Sequence, residues 1–266
     1  MKFRSMQILT AFTVVAGAAR VAMAAEPAGA WSLSISGGDS ISESGSLRAP
    51  MSATLGDLGA LDPGLTGESG TLRLDRLRYD DLFRSRFDTG LELDYSFSDN
   101  LQTYGRFDYG SFDGRTHAIG SLTDTALDNS AAIEDQFADA DNLSLQFGSR
   151  YLWSTGLDWR PYAGFALGAT RLGEMRATLT RTDFSAVIPD FRFARAGTVF
   201  SQSLQTGVDY TPNTAFGLRF GVDADRVGKP PSGDDPRTSE LGFGPSSEAH
   251  SSLWSFPVSI AANYRF

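Results

Sequence analysis

Acidic and basic side chains that could act on one another recur at alternate positions through much of this chain. Asp88, Glu92 and Asp94 share one parity. Arg106 and Asp108 follow on the next run, and Arg150, Arg160, Asp209, Arg219, Asp223, Asp225 and Arg265 continue the pattern. Closely spaced carboxylates can serve as general acid and base. Alternation alone, however, also brings Asp and Glu close together, and arginine is interleaved. Ion pairing within the fold is therefore the expected chemistry, with the planar guanidinium fork matched to carboxylates. Histidine occurs twice, as His117 and His250. Of these, His250 shares a strand face with Ser252, a minimal base-and-nucleophile pairing. Cysteine is absent, so disulfides, thiolate metal sites and cysteine nucleophiles are excluded. No Gly-rich phosphate loop, zinc spacing or calcium-loop pattern occurs. Neither a metal, a cofactor nor an enzymatic activity is expected. With 23 Lys+Arg against 32 Asp+Glu, the net charge of -9 argues against a nucleic-acid partner.

The elements that must position these charges have a period of two, the signature of strands with unlike faces. Trp31, Leu33 and Ile35 alternate with Ser32, Ser34 and Ser36. Phe87, Leu91, Leu93, Tyr95 and Phe97 oppose Asp88, Glu92, Asp94 and Ser96. Leu101, Phe107 and Tyr109 oppose Gln102, Tyr104, Arg106 and Asp108. Leu143, Leu145, Phe147, Tyr151 and Trp153 oppose Ser144, Gln146 and Arg150. Further on, Trp159, Phe165 and Leu167 oppose Arg160 and Tyr162, and Phe200, Leu204, Val208 and Tyr210 oppose Ser201, Gln205 and Asp209. Phe216, Phe220 and Val222 oppose Arg219 and Asp223. Trp254, Val258, Ile260, Tyr264 and Phe266 oppose Ser255, Ser259, Asn263 and Arg265. Eight strands result.

Short, turn-rich links at 98–100, 155–157 and 211–214 alternate with long polar ones at 39–86, 112–141, 173–197 and 227–251. Residues 39–86 read as a long external loop or a hairpin insertion. Lys2 and Arg4, an apolar stretch over 8–19 and the small-x-small pattern Ala22-Met23-Ala24 make residues 1–24 a signal peptide, with the mature chain starting near Ala25.

Alternation also suits a soluble sandwich, whose apolar face would be the core. Export, and aromatics placed near strand ends (Tyr95, Trp153, Trp159, Tyr210, Phe216, Tyr264), favour a membrane instead, since such rings settle at the lipid–water interface. The expectation is an all-β chain: a closed antiparallel up-and-down transmembrane β-barrel of about eight strands over 25–266, in the bacterial outer membrane. Short turns would be periplasmic and long loops extracellular. A mean hydropathy of -0.19 is compatible, because half of each strand faces a polar interior.

The run from Gly90 to Leu101 resembles a strand–turn–strand segment of OmpA-like and related small porin-family barrels, as does Arg160 to Gly168. The ending Pro257 to Phe266 resembles the terminal strand signal of outer-membrane proteins. That resemblance implies that Tyr264 and Phe266 are read by the barrel assembly machinery. His250-Ser251-Ser252 is distantly similar to the histidine-x-serine arrangement of lipid A deacylases, but Glu248 lies on the wrong side in sequence to be the downstream acid.

Eight strands enclose an interior just wide enough for side chains. The expected lumen network is Asp88, Glu92, Asp94, Arg106, Asp108, Arg150, Arg160, Arg219, Asp223 and Arg265. It reads either as a plug of ion pairs or as a narrow pore, so a structural or porin-like role is expected. A surface adhesin or ligand-binding barrel acting through its loops is the alternative. A basic run, Arg73, Arg76, Arg78 and Arg84 with Arg86, reads either as contacts to lipopolysaccharide phosphates or as a hairpin paired to Asp75, Asp80 and Asp81. Expected partners are thus outer-membrane lipid and lipopolysaccharide.

Overall fold

The computed structural model describes residues 28–60, 66–124, 129–155, 157–181, 187–212, 215–231 and 251–266. The proposed signal peptide and His250 lie outside them. In chain order the strands are β1 (Trp31–Ser44), β2 (Ser46–Arg48), β3 (Met51–Leu55), β4 (Gly70–Leu74), β5 (Leu77–Arg78), β6 (Phe83–Ser96), β7 (Leu101–Gly114) and β8 (Thr116–Asp124). They continue with β9 (Asn129–Phe137), β10 (Ala140–Leu152), β11 (Trp159–Leu172), β12 (Met175–Arg181), β13 (Val187–Ala194), β14 (Gly197–Tyr210), β15 (Phe216–Val227) and β16 (Leu253–Arg265). A single helical turn, α1 (Tyr79–Leu82), precedes β6.

Eight of these strands close an antiparallel barrel in the order β1-β16-β15-β14-β11-β10-β7-β6, and β6 pairs back onto β1. Closure leaves no unpaired edge, the condition for a sheet to sit in hydrocarbon. Each barrel strand corresponds to one of the alternating runs in the sequence. The register is regular over long stretches: Leu33 faces Tyr264 and Leu93, and Leu145 faces Phe107 and Ala169.

The apolar stripe points outward. Ile35, Leu145, Phe147, Phe165 and Leu204 are exposed, whereas Asp94, Gln102, Arg150 and Asp209 are buried. This is the reverse of a soluble protein. At the short-turn rim the outer face carries paired aromatics, with Trp31 and Tyr95 at 4.9 Å between ring centroids, Trp159 and Tyr210 at 4.4 Å, and Phe216 and Tyr264 at 5.1 Å. Near the opposite rim, Tyr109 and Trp254 are outward, beside exposed Asp39, Asp141, Arg171 and Arg226. From Tyr264 to Trp254, about ten steps of about 3.3 Å tilted by about 40° give a band roughly 25 Å tall, the height of an outer-membrane apolar belt.

The long links are not irregular. A six-stranded sheet, ordered β13-β12-β9-β8-β4-β3, and the small pair β2-β5 are built from them. One face of this second sheet is apolar, and the main hydrophobic core lies there. It joins Leu72, Ile119, Leu122, Phe137, Met175 and Phe193 to barrel-rim residues Phe83, Phe112, Leu172, Val227 and Leu253. Phe83 packs against Phe112 at 5.2 Å and Phe137 at 6.1 Å, and Phe137 packs against Phe193 at 5.0 Å. The core thus forms a cap over one end of the barrel rather than a filling inside it. Residues 112–141 contain the β8–β9 hairpin and 173–197 contain the β12–β13 hairpin, where the sequence had suggested plain loops.

The charged lumen as candidate functional site

Inward positions of adjacent strands bring the predicted charges together in two layers. In the layer toward the short turns, Arg150 Nη2 is 2.6 Å from Glu92 Oε1 and 3.4 Å from Asp94 Oδ1. Arg219 joins the same carboxylates through its Nη1, and its Nε reaches Asp209 Oδ1 at 2.6 Å. The hydroxyls of Ser32 and Ser34 donate to Asp94 Oδ2. Tyr104 and Tyr162 also point inward: the Arg150 guanidinium lies 4.1 Å over the Tyr104 ring and 5.5 Å from Tyr162, and Arg219 lies 5.6 Å from Tyr162. Cation–π contact of this kind strengthens with desolvation.

Room for the two rings comes from glycine. A Cβ at Gly148 would lie 2.6 Å from Tyr104 Oη, and one at Gly221 would lie 2.6 Å from Tyr162 Oη.

In the layer toward the cap, Arg106 is the hub. It meets Asp108 Oδ2 at 2.8 Å and Asp223 Oδ2 at 2.7 Å, and donates to Gln146 Oε1 at 2.9 Å. Arg86 meets Asp88 Oδ1 at 2.8 Å and donates to Ser255 Oγ at 2.6 Å. Its guanidinium also lies 5.3 Å over Phe112, at the boundary with the cap.

Of the expected lumen residues, Asp88, Glu92, Asp94, Arg106, Asp108, Arg150, Arg219 and Asp223 are thus brought into ion pairs. Arg160 and Arg265 stand at the short-turn rim, where Arg160 donates to the Asp99 carbonyl and Arg265 to Thr211 Oγ1. Arg86 is a correction. The sequence placed it with the rim arginines, whereas the structure buries it in the lumen. Its position continues the inward series of Asp88, Glu92 and Asp94, because the strand starts at Phe83, ahead of the alternating run that the sequence showed from Phe87. Arg73, Arg76, Arg78 and Arg84 are exposed on or beside the cap, and Arg78 pairs with Asp80 at 2.9 Å. Tyr264 and Phe266 are exposed, with stacked rings 6.4 Å apart.

One residue escaped the sequence altogether. Asp135, on β9, is fully buried under the cap, and neither carboxylate oxygen has a hydrogen-bond partner. It sits between His117 of β8 and Leu179 of β12 in the ladder. Burial pushes its carboxyl up to about 8, because an ion without a partner is disfavoured in apolar surroundings. His117 is the histidine that the structure describes, and it is half-buried in the second sheet, away from the lumen strands.

No family model matches the chain, and no curated protein matches it. Several solved structures do. Neisserial surface protein A is 14% identical, with a TM-score of 0.43 over 90% of this chain and 98% of that one. The Ail attachment invasion locus protein of Yersinia pestis, in complex with a heparin analogue, is 13% identical, with a TM-score of 0.37 over 89% and 99%. The outer membrane protein OprG of Pseudomonas aeruginosa is 15% identical, with a TM-score of 0.35 over 91% and 99%. The chain is similar to these small outer-membrane barrels. At such identities and scores the likeness carries nothing about activity.

Proposed function

We propose that this chain is a bacterial outer-membrane β-barrel with a structural role, closed to ion flow. The observation that carries the proposal is a lumen crossed by two layers of Arg–carboxylate pairs beneath an apolar cap, inside a wall whose exterior is apolar. Buried charges in register with opposite charges replace the water that an open channel would hold. The short turns then face the periplasm and the capped rim faces outward. Tyr264 and Phe266 end the strand that the assembly machinery would read.

Two measurements test this. Unboiled protein should migrate differently from boiled protein on a denaturing gel, as a detergent-resistant barrel does. In planar bilayers the folded protein should show no steady conductance; a stable single-channel current would favour the porin-like reading.

The ordered second sheet favours one further role. A rigid cap presenting exposed Arg73, Arg76 and Arg84 is a suitable surface for phosphate-bearing partners, lipopolysaccharide among them, since guanidinium recognises phosphate by paired hydrogen bonds. Replacing the three by Ser should weaken lipopolysaccharide binding while leaving gel migration unchanged. Equal binding would reject this role.

A further inference from the structure

The half of the lumen next to the cap contains a cavity of about 50 Å³. At about 10–15 Å³ per water, it has room for a few water molecules. Seven barrel strands contribute to its lining, so it is a central chamber and not a surface dent. The lining includes the carboxylates of Asp88, Asp108, Asp223 and Asp225 against the guanidinium groups of Arg86 and Arg106, a formal excess of two negative charges.

Those charges are unevenly served. Arg106 binds Asp108 and Asp223 closely, but its nearest nitrogen is 3.9 Å from Asp225 Oδ1. The Asp225 side chain is 9% exposed, and its Oδ1 accepts no hydrogen bond. Asp88 Oδ2 accepts none either. Beside them, the Asn142 amide and Ser203 Oγ are also buried without partners, and Ser203 is the ladder partner of Asp225. A buried acceptor left without a donor is costly, and two such carboxylate oxygens in the lining of one cavity call for an occupant that is polar and positive.

We infer that this chamber binds one hydrated divalent cation, held by Asp225 Oδ1 and Asp88 Oδ2. Hard oxygen donors suit Mg²⁺ or Ca²⁺. Among the described residues no three acidic side chains converge as a direct coordination sphere, so the ion keeps part of its water, as Mg²⁺ does when held by one or two carboxylates. Its two charges match the excess carried by the lining. The inference stands on the lumen geometry and holds whether or not the barrel conducts.

The test uses the full folded chain in detergent micelles, stripped with EDTA and then titrated calorimetrically with MgCl2 and, separately, CaCl2. KCl at matched ionic strength is the control. One saturable site per chain is expected for at least one of the two metals and none for KCl. Affinity should fall about tenfold or more, a change of about 1.4 kcal/mol or more, in Asp225→Asn and in Asp88→Asn. It should be unchanged in Glu134→Gln, on the exposed side of β9. Each lumen variant removes a charge from an overcharged chamber and should fold in EDTA. Absence of saturable binding in the unaltered chain overturns the inference, as does equal affinity in both lumen variants. A stability response to pH with none to either metal would assign the excess charge to protons instead, and also overturns it.

Discussion

Glu92 and Arg150 meet across the lumen at 2.6 Å, although their strands β6 and β10 are not neighbours in the barrel. Both side chains are buried, and Glu92 serves Arg219 as well. One carboxylate therefore ties two arginines from separate parts of the wall. Replacing Glu92 by Gln leaves both guanidinium groups short of an anion, and breaking such a buried pair costs about 3–5 kcal/mol. Urea unfolding in micelles should show that loss. Replacing Arg150 by Met in the same chain should recover part of it; a double variant no better than the single would contradict the shared role of Glu92.

The tyrosine layer depends on missing side chains. Gly207 and Gly221 flank Tyr162, and a Cβ on either would come within 2.7 Å or 2.6 Å of its hydroxyl. Overpacking of this kind costs about 1–3 kcal/mol. Gly221→Ala should lower stability by that amount, and Tyr162→Phe should relieve much of the penalty by removing the oxygen in the way. Equal penalties in the two backgrounds would mean that the ring moves aside.

Asp135 makes the cap sensitive to pH. Its carboxyl is raised to about 8 in the fold against about 3.9 in an unfolded chain. The folded state therefore holds a proton that the unfolded chain releases. The stabilisation from that proton is complete below about pH 4 and is lost progressively as pH rises to about 8. Asp135→Asn removes this dependence. The stability advantage of the Asn variant over the original chain should widen between pH 4 and pH 8 and then level off. A constant difference across that range would show that the carboxyl is not desolvated.

The cap should loosen without the barrel opening. Phe137 is 3% exposed and touches both Phe83 of the barrel rim and Phe193 of β13. Truncating a buried Phe costs about 3–5 kcal/mol. In Phe137→Ala, protease cleavage within the second sheet should accelerate while the gel shift on boiling persists. Loss of that shift at the same time would mean that cap and barrel unfold as one unit.

How much of this was legible in the sequence follows from where the period of two survives. Along Leu143 to Trp153 one parity holds throughout, with only Ser149 and Leu152 out of character, and both the strand and its inward Gln146 and Arg150 could be read from it. Along Thr116 to Asp124 it does not. A register shift between Ala118 and Gly120, where Gly120 has φ +159, places Ile119 and Leu122 on the same buried face with odd and even numbers. Similar shifts interrupt β12 against β13. The second sheet was therefore hidden by bulges, not by unsuitable residues. Arg86 was misplaced for a different reason: it keeps the parity of Asp88 and Glu92, but the strand begins at Phe83, before the clear alternation from Phe87. Asp135 could not have been found locally, because its burial is created by strands distant in sequence.

The most direct test of the account is the direction of the outer stripe. The chain has no cysteine, so single cysteines can be introduced cleanly at Leu145, Phe147 and Leu167 and carry nitroxide labels in lipid vesicles. The account predicts that these labels collide readily with oxygen dissolved in the bilayer and poorly with a water-soluble nickel chelate. Labels that favour the chelate over oxygen at all three positions would place the stripe away from lipid and contradict it.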